Sequence, residues 1–437
     1  MLLSNKIINW NILNISEKKQ LLLRPKIVQS SDLKESIRVI INNVKNFGDQ
    51  ALYQYTKKFD KVDLSCFQVS KKRIESSSCY INKQLKNAII IAKKNIQLFH
   101  INQKMPCIDI NTQVGIRCQQ VTLPIESVGL YVPAGSAPLL STALMLAVPA
   151  VIAGCKNIVL CSPPPINNEI LYIAKICNIY NVFEIGGAQA IAALGFGTAT
   201  IPKVNKIFGP GNIYVTEAKI QLNQLLSGLS IDMIAGPSEL FIIADKTANP
   251  DFIAADVLSQ AEHGIDSQVI VASNDISLLQ QVLLKLQKQL LSLSRSNIIL
   301  QSLKNSKFIF TSSLLECVDI SNQYAPEHLI IQTENSRNLL DYVINAGSVF
   351  LGHWSPESVG DYASGTNHVL PTNGNTISTS GLSVLDFQKK ITIQELTPFG
   401  LKNITQTVKT LALSEHMDGH ANAVIIRANA IKEKYGK

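Results

Sequence analysis

The sequence predicts an α/β protein with two doubly wound, incomplete Rossmann-like domains and small helical appendages at its N- and C-termini. Three observations predict it. From residue 127 onward, short apolar runs alternate with segments of helix length. Those runs lack the polar alternation of a half-exposed strand, as expected where a parallel sheet is covered on both faces. A second series of the same kind begins near Leu240, giving enough chain for two sheets.

Taken in order, residues 1–25 read as an arm ending at Arg24-Pro25. From Asp32 an amphipathic helix places Leu33, Ile37, Ile40, Val44 and Phe47 on one face, with Asp32 and Glu35 spaced as a cap and its partner and Gly48 as the stop. Further helices are expected around Ala51–Phe59 and Gln84–Phe99. In the first α/β run, Ser127–Val132, Asn157–Cys161, Val182–Ile185 and Val204–Phe208 read as strands, with helices at Leu139–Ile152 and Asn168–Asn178. The second run has strands near Leu240, Gln268–Ala272, Lys307–Thr311 and Ser348–Leu351. The last residues, from Leu382, read as mostly helical with a basic tail.

Composition narrows the function. The chain has 437 residues, 46% hydrophobic and 16% charged, which excludes a disordered polymer and supports a large core. Its net charge of +8 is spread thinly, aromatics are 6% and no block of five basic residues occurs. Nucleic-acid binding is therefore not expected. The uncharged stretch 127–155 is broken by Pro133, Pro138 and Pro149, and its longest clean apolar piece, Leu139–Val148, is too short for a bilayer needing ~20 residues. Eight cysteines without a C-x-x-C pair, and no apolar signal segment after Met1, point to reduced thiols and a cytoplasmic enzyme.

Six of the seven histidines fall at or after residue 263. Gln260 and His263 sit three apart at the end of a helical segment closing on Gly264, so both project from one face and offer an amide oxygen and an imidazole to a divalent metal; a capped surface helix end fits the same spacing. The stretch Leu351–His368, dense in Gly, Ser, Asp, Asn and His, follows a buried strand, where open α/β sheets place ligands; turn chemistry accounts for that composition equally well. Ala325-Pro326-Glu327-His328 sets a carboxylate beside an imidazole, an acid/base pair only if the backbone is irregular enough to aim both at one site. No G-x-G-x-x-G occurs, although Ile185-Gly186-Gly187-Ala188-Gln189 and Phe208-Gly209-Pro210-Gly211-Asn212 each bring glycines to a strand end, as phosphate-binding turns do.

Together, Ile231-Asp232-Met233-Ile234-Ala235-Gly236-Pro237-Ser238-Glu239-Leu240, Gln260 with His263, Ala325-Pro326-Glu327-His328, Gly360-Asp361-Tyr362 and Asn367-His368-Val369-Leu370-Pro371-Thr372 closely resemble the histidinol dehydrogenase family. The match also takes in Val128–Gly135 and Phe208–Asn212, and runs through nearly the whole chain in order. The resemblance implies a zinc enzyme that oxidises L-histidinol to L-histidine through an aldehyde, with two NAD. It implies Gln260, His263, Asp361 and His420 as zinc ligands and Glu327 and His328 as the acid/base residues. Substrate contacts would come from Ser238, Glu415, His328 and the zinc ligands, and NAD contacts from Tyr131, Gln189 and Asn212. It also implies a homodimer with shared sites, in which Glu415 and His420 serve the neighbouring subunit.

The corresponding division is an N-terminal arm (1–25), a domain carrying the metal and acid/base residues (26–130 with 237–381), an NAD domain (131–236) and a C-terminal segment contacting the partner (382–437). Two departures stand out: His416 lies beside Glu415, and the loop Asn375–Ser380 is less aromatic than expected. The alternatives are a zinc hydrolase that uses Glu327 to activate water, and a non-catalytic imidazole- or metal-binding protein on the same scaffold.

Overall fold

The structure is a computed structural model, and it describes residues 7–25, 31–133, 139–233 and 236–435. Residues 1–6 of the expected arm, the Ala134-Gly135 and Ile234-Ala235 portions of the quoted motifs, Pro138, and Lys437 of the basic tail lie outside the described residues. The chain divides into two compact units, one of residues 1–102 with 126–387, the other of 103–125 with 388–437.

The strands, in chain order, are β1 (Ile7–Asn9), β2 (Ile108–Gln113), β3 (Ile116–Pro124), β4 (Ser127–Tyr131), β5 (Asn157–Ser162), β6 (Asn181–Glu184), β7 (Lys206–Phe208) and β8 (Ser230–Ile231). They continue with β9 (Glu239–Ala244), β10 (Gln268–Ser273), β11 (Lys307–Phe310), β12 (His328–Gln332), β13 (Ser348–Leu351) and β14 (Gln388–Leu396).

The larger unit is mixed α/β with two parallel sheets, as expected. One is five-stranded in the order β6-β5-β4-β7-β8, the other six-stranded in the order β1-β11-β10-β9-β12-β13. Every residue of β4, β9, β10 and β12 is buried. Alternate residues of β9 supply opposite cores. Leu240 and Ile242 pack with Val257 and Leu258 of the helix Pro250–Ala261, while Phe241 and Ile243 pack with Val318 and Ile320 of the helix Leu314–Tyr324. Two-sided burial is the reason these strands read as unbroken apolar runs.

The helix from Ser31 to Phe47 buries Leu33, Ile37, Ile40, Ile41 and Val44 against the helices Gly187–Phe196 and Ile213–Leu225. Two details differ from expectation. Phe47 is 59% exposed, because the apolar stripe ends one turn earlier at Val44, and Asp32 lies inside the first turn rather than at the cap. Gly48 ends the helix as expected, with φ +50 and its N–H bonded to Val44.

The smaller unit holds a sheet in the order β14-β3-β2, antiparallel throughout, and two mutually packed helices, Pro398–Ser414 and Asp418–Tyr435. The last segment is mostly helical as expected, but it contains the nine-residue β14, and the β2–β3 hairpin is not among the expected elements either. No helix among the described residues is long and apolar enough to cross a membrane, and all eight cysteines are free.

Candidate active site

The geometry starts at Ala325, which caps the helix Leu314–Tyr324 in the left-handed region at φ +52. That bend and Pro326 supply the irregular backbone that the Glu327-His328 pair requires. Both side chains turn inward and are buried, with Glu327 Oε2 3.7 Å from His328 Nδ1.

A single residue, Glu239 at the start of β9, holds both. Its N–H donates to Glu327 Oε2 (2.9 Å), and its carbonyl accepts from His328 Nδ1 (3.2 Å). Because a carbonyl can only accept, Nδ1 carries the ring proton and Nε2 keeps a lone pair. Nε2 has no hydrogen-bond partner and lies 3.8 Å from Asp361 Oδ1. Burial pushes the His328 imidazole down to about 4, partly offset by Asp361, so the ring is neutral near pH 7. Burial holds the Glu327 carboxyl well above the usual carboxylate range, against the opposing hydrogen bond from Glu239.

Asp361 lies in the short helix Glu357–Tyr362, and its carbonyl accepts from His368 Nδ1 at 2.8 Å. Its Oδ2 is 4.0 Å from His263 Nε2. Four residues earlier, on the same helix face, Glu357 is buried, and neither carboxylate oxygen finds a hydrogen bond. Glu357 Oε1 lies 3.2 Å from His328 Nδ1 without hydrogen-bond geometry. Ligand atoms of His263, Glu357 and Asp361 all lie within 4.8 Å of one another. In the last turn of the helix Pro250–Ala261, Gln260 is fully buried with both amide atoms unpartnered. A buried amide without partners costs about 1–3 kcal/mol, a cost that a cation bound at its oxygen would relieve. The donors, imidazole nitrogen with carboxylate and amide oxygen, suit a zinc-type divalent ion.

Tyr131, Gln189, Asn212, Ser238 and His263 line one cleft of about 1400 Å³. Tyr131 closes β4, and its hydroxyl accepts from the N–H of Gly187 at 3.0 Å, tying it to the start of the helix Gly187–Phe196 that carries Gln189. Gln189 is buried with an unpartnered Nε2. Asn212 caps the helix Ile213–Leu225, its Oδ1 accepting from the N–H groups of Tyr214 and Val215 at 3.1 Å each. The turn before it crosses β4 so closely that a Cβ on Gly209, at φ +123, would stand 2.0 Å from the Tyr131 carbonyl oxygen. A buried ion pair of Lys219 with Asp232 clamps that turn, Lys219 donating to the Gly209 carbonyl (3.0 Å) and Asp232 accepting from the Gly209 N–H (2.7 Å).

In the larger unit the structure thus brings Gln260, His263, Glu327, His328 and Asp361 to the ends of neighbouring elements, and Tyr131, Gln189, Asn212 and Ser238 to the cleft. Glu415 and His420 belong to the smaller unit, both exposed, at the end of the helix Pro398–Ser414 and in the first turn of the next. Glu357 was not singled out from the sequence. Its i,i+4 spacing to Asp361 was the available signal.

The sequence-family model described as histidinol dehydrogenase matches residues 23–428. A histidinol dehydrogenase from Buchnera aphidicola subsp. Acyrthosiphon pisum is 56% identical over 428 residues, covering 98% of each chain. One from Escherichia coli strain K12 is 54% identical over 430 residues, 98% of this chain and 99% of its own. The crystal structure of histidinol dehydrogenase from Elizabethkingia anophelis superimposes with a TM-score of 0.94 at 47% identity, covering 98% of both chains. With its parallel sheets and buried Glu-His pair, the chain belongs to the histidinol dehydrogenase family of oxidoreductases.

Proposed function

We propose that the protein oxidises L-histidinol to L-histidine through L-histidinaldehyde, the last steps of histidine biosynthesis, as a zinc-dependent, NAD-linked cytoplasmic homodimer. The observation that carries this reading is a neutral, buried His328 whose free Nε2 stands beside the Asp361–His263–Glu357 cluster. When bound, NAD accepts the hydride of each oxidation, and zinc anchors the imidazole and amino groups of the substrate.

The chain's own residues do the rest. His328 Nε2 takes the hydroxyl proton as the alcohol becomes an aldehyde, a task suited to an imidazole that is neutral near pH 7. Glu327 takes a proton from the water that adds to the aldehyde before the second oxidation, a task for a carboxylate held beside His328. Gln260, His263 and Asp361 would hold the metal, with His420 from the other subunit. Ser238 and Glu415 would bind the substrate, Glu415 across the dimer. Tyr131, Gln189 and Asn212 would hold NAD. The domain roles follow: 131–236 for NAD, 26–130 with 237–381 for metal and proton transfer, and 382–437 for the partner.

The decisive measurement is NADH formed per histidinol consumed, with and without a chelator. Two per substrate, lost with the metal, is expected; hydrolysis without NADH would overturn the reading. Metal analysis of His263→Ala and Asp361→Ala should find depleted zinc. Full zinc in both would remove them from the ligand set.

A further inference from the structure

The side chain of Glu239, the residue whose main chain holds both Glu327 and His328, is itself held from a distant part of the sequence. Its carboxylate, 1% exposed, accepts from Arg24 Nε (2.5 Å) and Nη2 (2.8 Å) in a two-pronged ion pair, and from the Asn373 N–H (3.1 Å). The same guanidinium reaches the other half of the pair's support. Nη2 also donates to the carbonyls of Tyr324 (2.7 Å) and Ala325 (3.3 Å), and the guanidinium carbon lies 4.0 Å from the centre of the Tyr324 ring. Ala325 is the left-handed bend that leads into Glu327 and His328. One planar cation therefore ties the start of β9 to the turn before β12. These are the two backbone segments whose separation sets where both side chains stand.

We propose that Arg24 is a positioning residue for the Glu327–His328 pair, acting through Glu239 and the Tyr324–Ala325 turn. The inference rests on the acid/base reading above. Arg24 does not line the cleft that holds Tyr131, Gln189 and His263, so it acts at one remove. The role needs arginine's geometry as well as its charge. A fork serves the carboxylate and the two carbonyls together, and a flat face stacks on Tyr324; an ammonium retains the charge and loses that simultaneous fit. Displacements of about 1 Å at reacting groups can cost on the order of 100-fold in rate.

The test is a double-variant cycle on the purified full-length enzyme. Arg24→Lys and Arg24→Met are each made alone and together with His328→Asn, and kcat, KM for histidinol and for NAD, and the unfolding midpoint are measured. Arg24→Lys should fold and lower kcat roughly tenfold, and Arg24→Met more, towards the 100-fold scale, with KM for NAD unchanged. In the His328→Asn background the fold loss from either should be clearly smaller, because one of the two positioned groups is gone and only Glu327 remains to be held. Equal fold losses in both backgrounds, or full kcat in Arg24→Lys, would overturn the inference and leave the acid/base reading standing. Wild-type kcat in His328→Asn alone would overturn that reading and the inference with it. Should Arg24→Met fail to fold, the lysine cycle alone decides.

Discussion

Replacing Lys219 by methionine tests how the Gly209–Asn212 turn is held. The Lys219 and Asp232 side chains are 5% and 2% exposed, so the substitution strands a carboxylate that water cannot reach. Breaking a buried pair from one side costs about 3–5 kcal/mol. For a unit of this size that corresponds to a drop of roughly 5 °C in unfolding temperature. Burial already raises the Asp232 carboxyl, with Lys219 the foremost counterweight, so the substitution raises it further. A carboxyl held above its unfolded value favours the fold at low pH and loses that contribution as pH rises. The deficit should therefore be larger at pH 8 than at pH 5. Lys219→Met with Asp232→Asn should recover most of it, while NADH affinity stays weakened because Gly209 has lost the donor to its carbonyl. Thermal melts of wild type, single and double variants at both pH values provide the measurement. Coincident melting of single and double variants, or a deficit independent of pH, would refute the reasoning.

Two further expectations follow from the same cleft and its surroundings. Asp256 is buried, accepts from Gln332 at 2.7 Å, and is pushed by burial up to about 7. Its contribution is full below the ordinary carboxylate value and fades as pH rises through 7. Asp256→Asn should therefore melt nearly level with wild type at pH 4 and gain up to about 4 kcal/mol on it above pH 7; a gain confined to acid pH would contradict this. Asn212→Asp keeps an oxygen for the cap but loses the amide donor, so the melting temperature should hold while NADH affinity, followed by fluorescence, falls about tenfold or more; unchanged affinity would remove Asn212 from the nucleotide contacts.

The parallel sheets were legible because burial on two faces writes itself as uninterrupted Val, Ile, Leu and Phe. β9 and β10 were found this way within a residue or two. β12 was not, because its first residue is the polar His328 and a proline stands two positions earlier. β2, β3 and β14 escaped for another reason. β2 and β14 are largely exposed and polar, and the pairing of β14 with β3 joins segments far apart in sequence, which no local pattern reports. In the site, adjacency gave Glu327 with His328, and helical spacing gave Gln260 with His263. Glu357 was hidden in a stretch whose composition also fits turns, and Arg24 looked like the end of an arm because its partners lie on β9 and beside β12.

The β2–β3 hairpin has a consequence for synthesis. β3 is the middle strand of its sheet, yet its second neighbour, β14, leaves the ribosome only after both parallel sheets have been made. Until then one side of β3 offers unpaired amides and carbonyls, beside outward-facing Ile108, Ile110, Val114 and Leu123. A nascent chain in that condition is a target for chaperones and for edge-to-edge association. Premature termination before Gln388 would leave that edge uncapped for good, with a cost in solubility that no residue of the cleft would reveal.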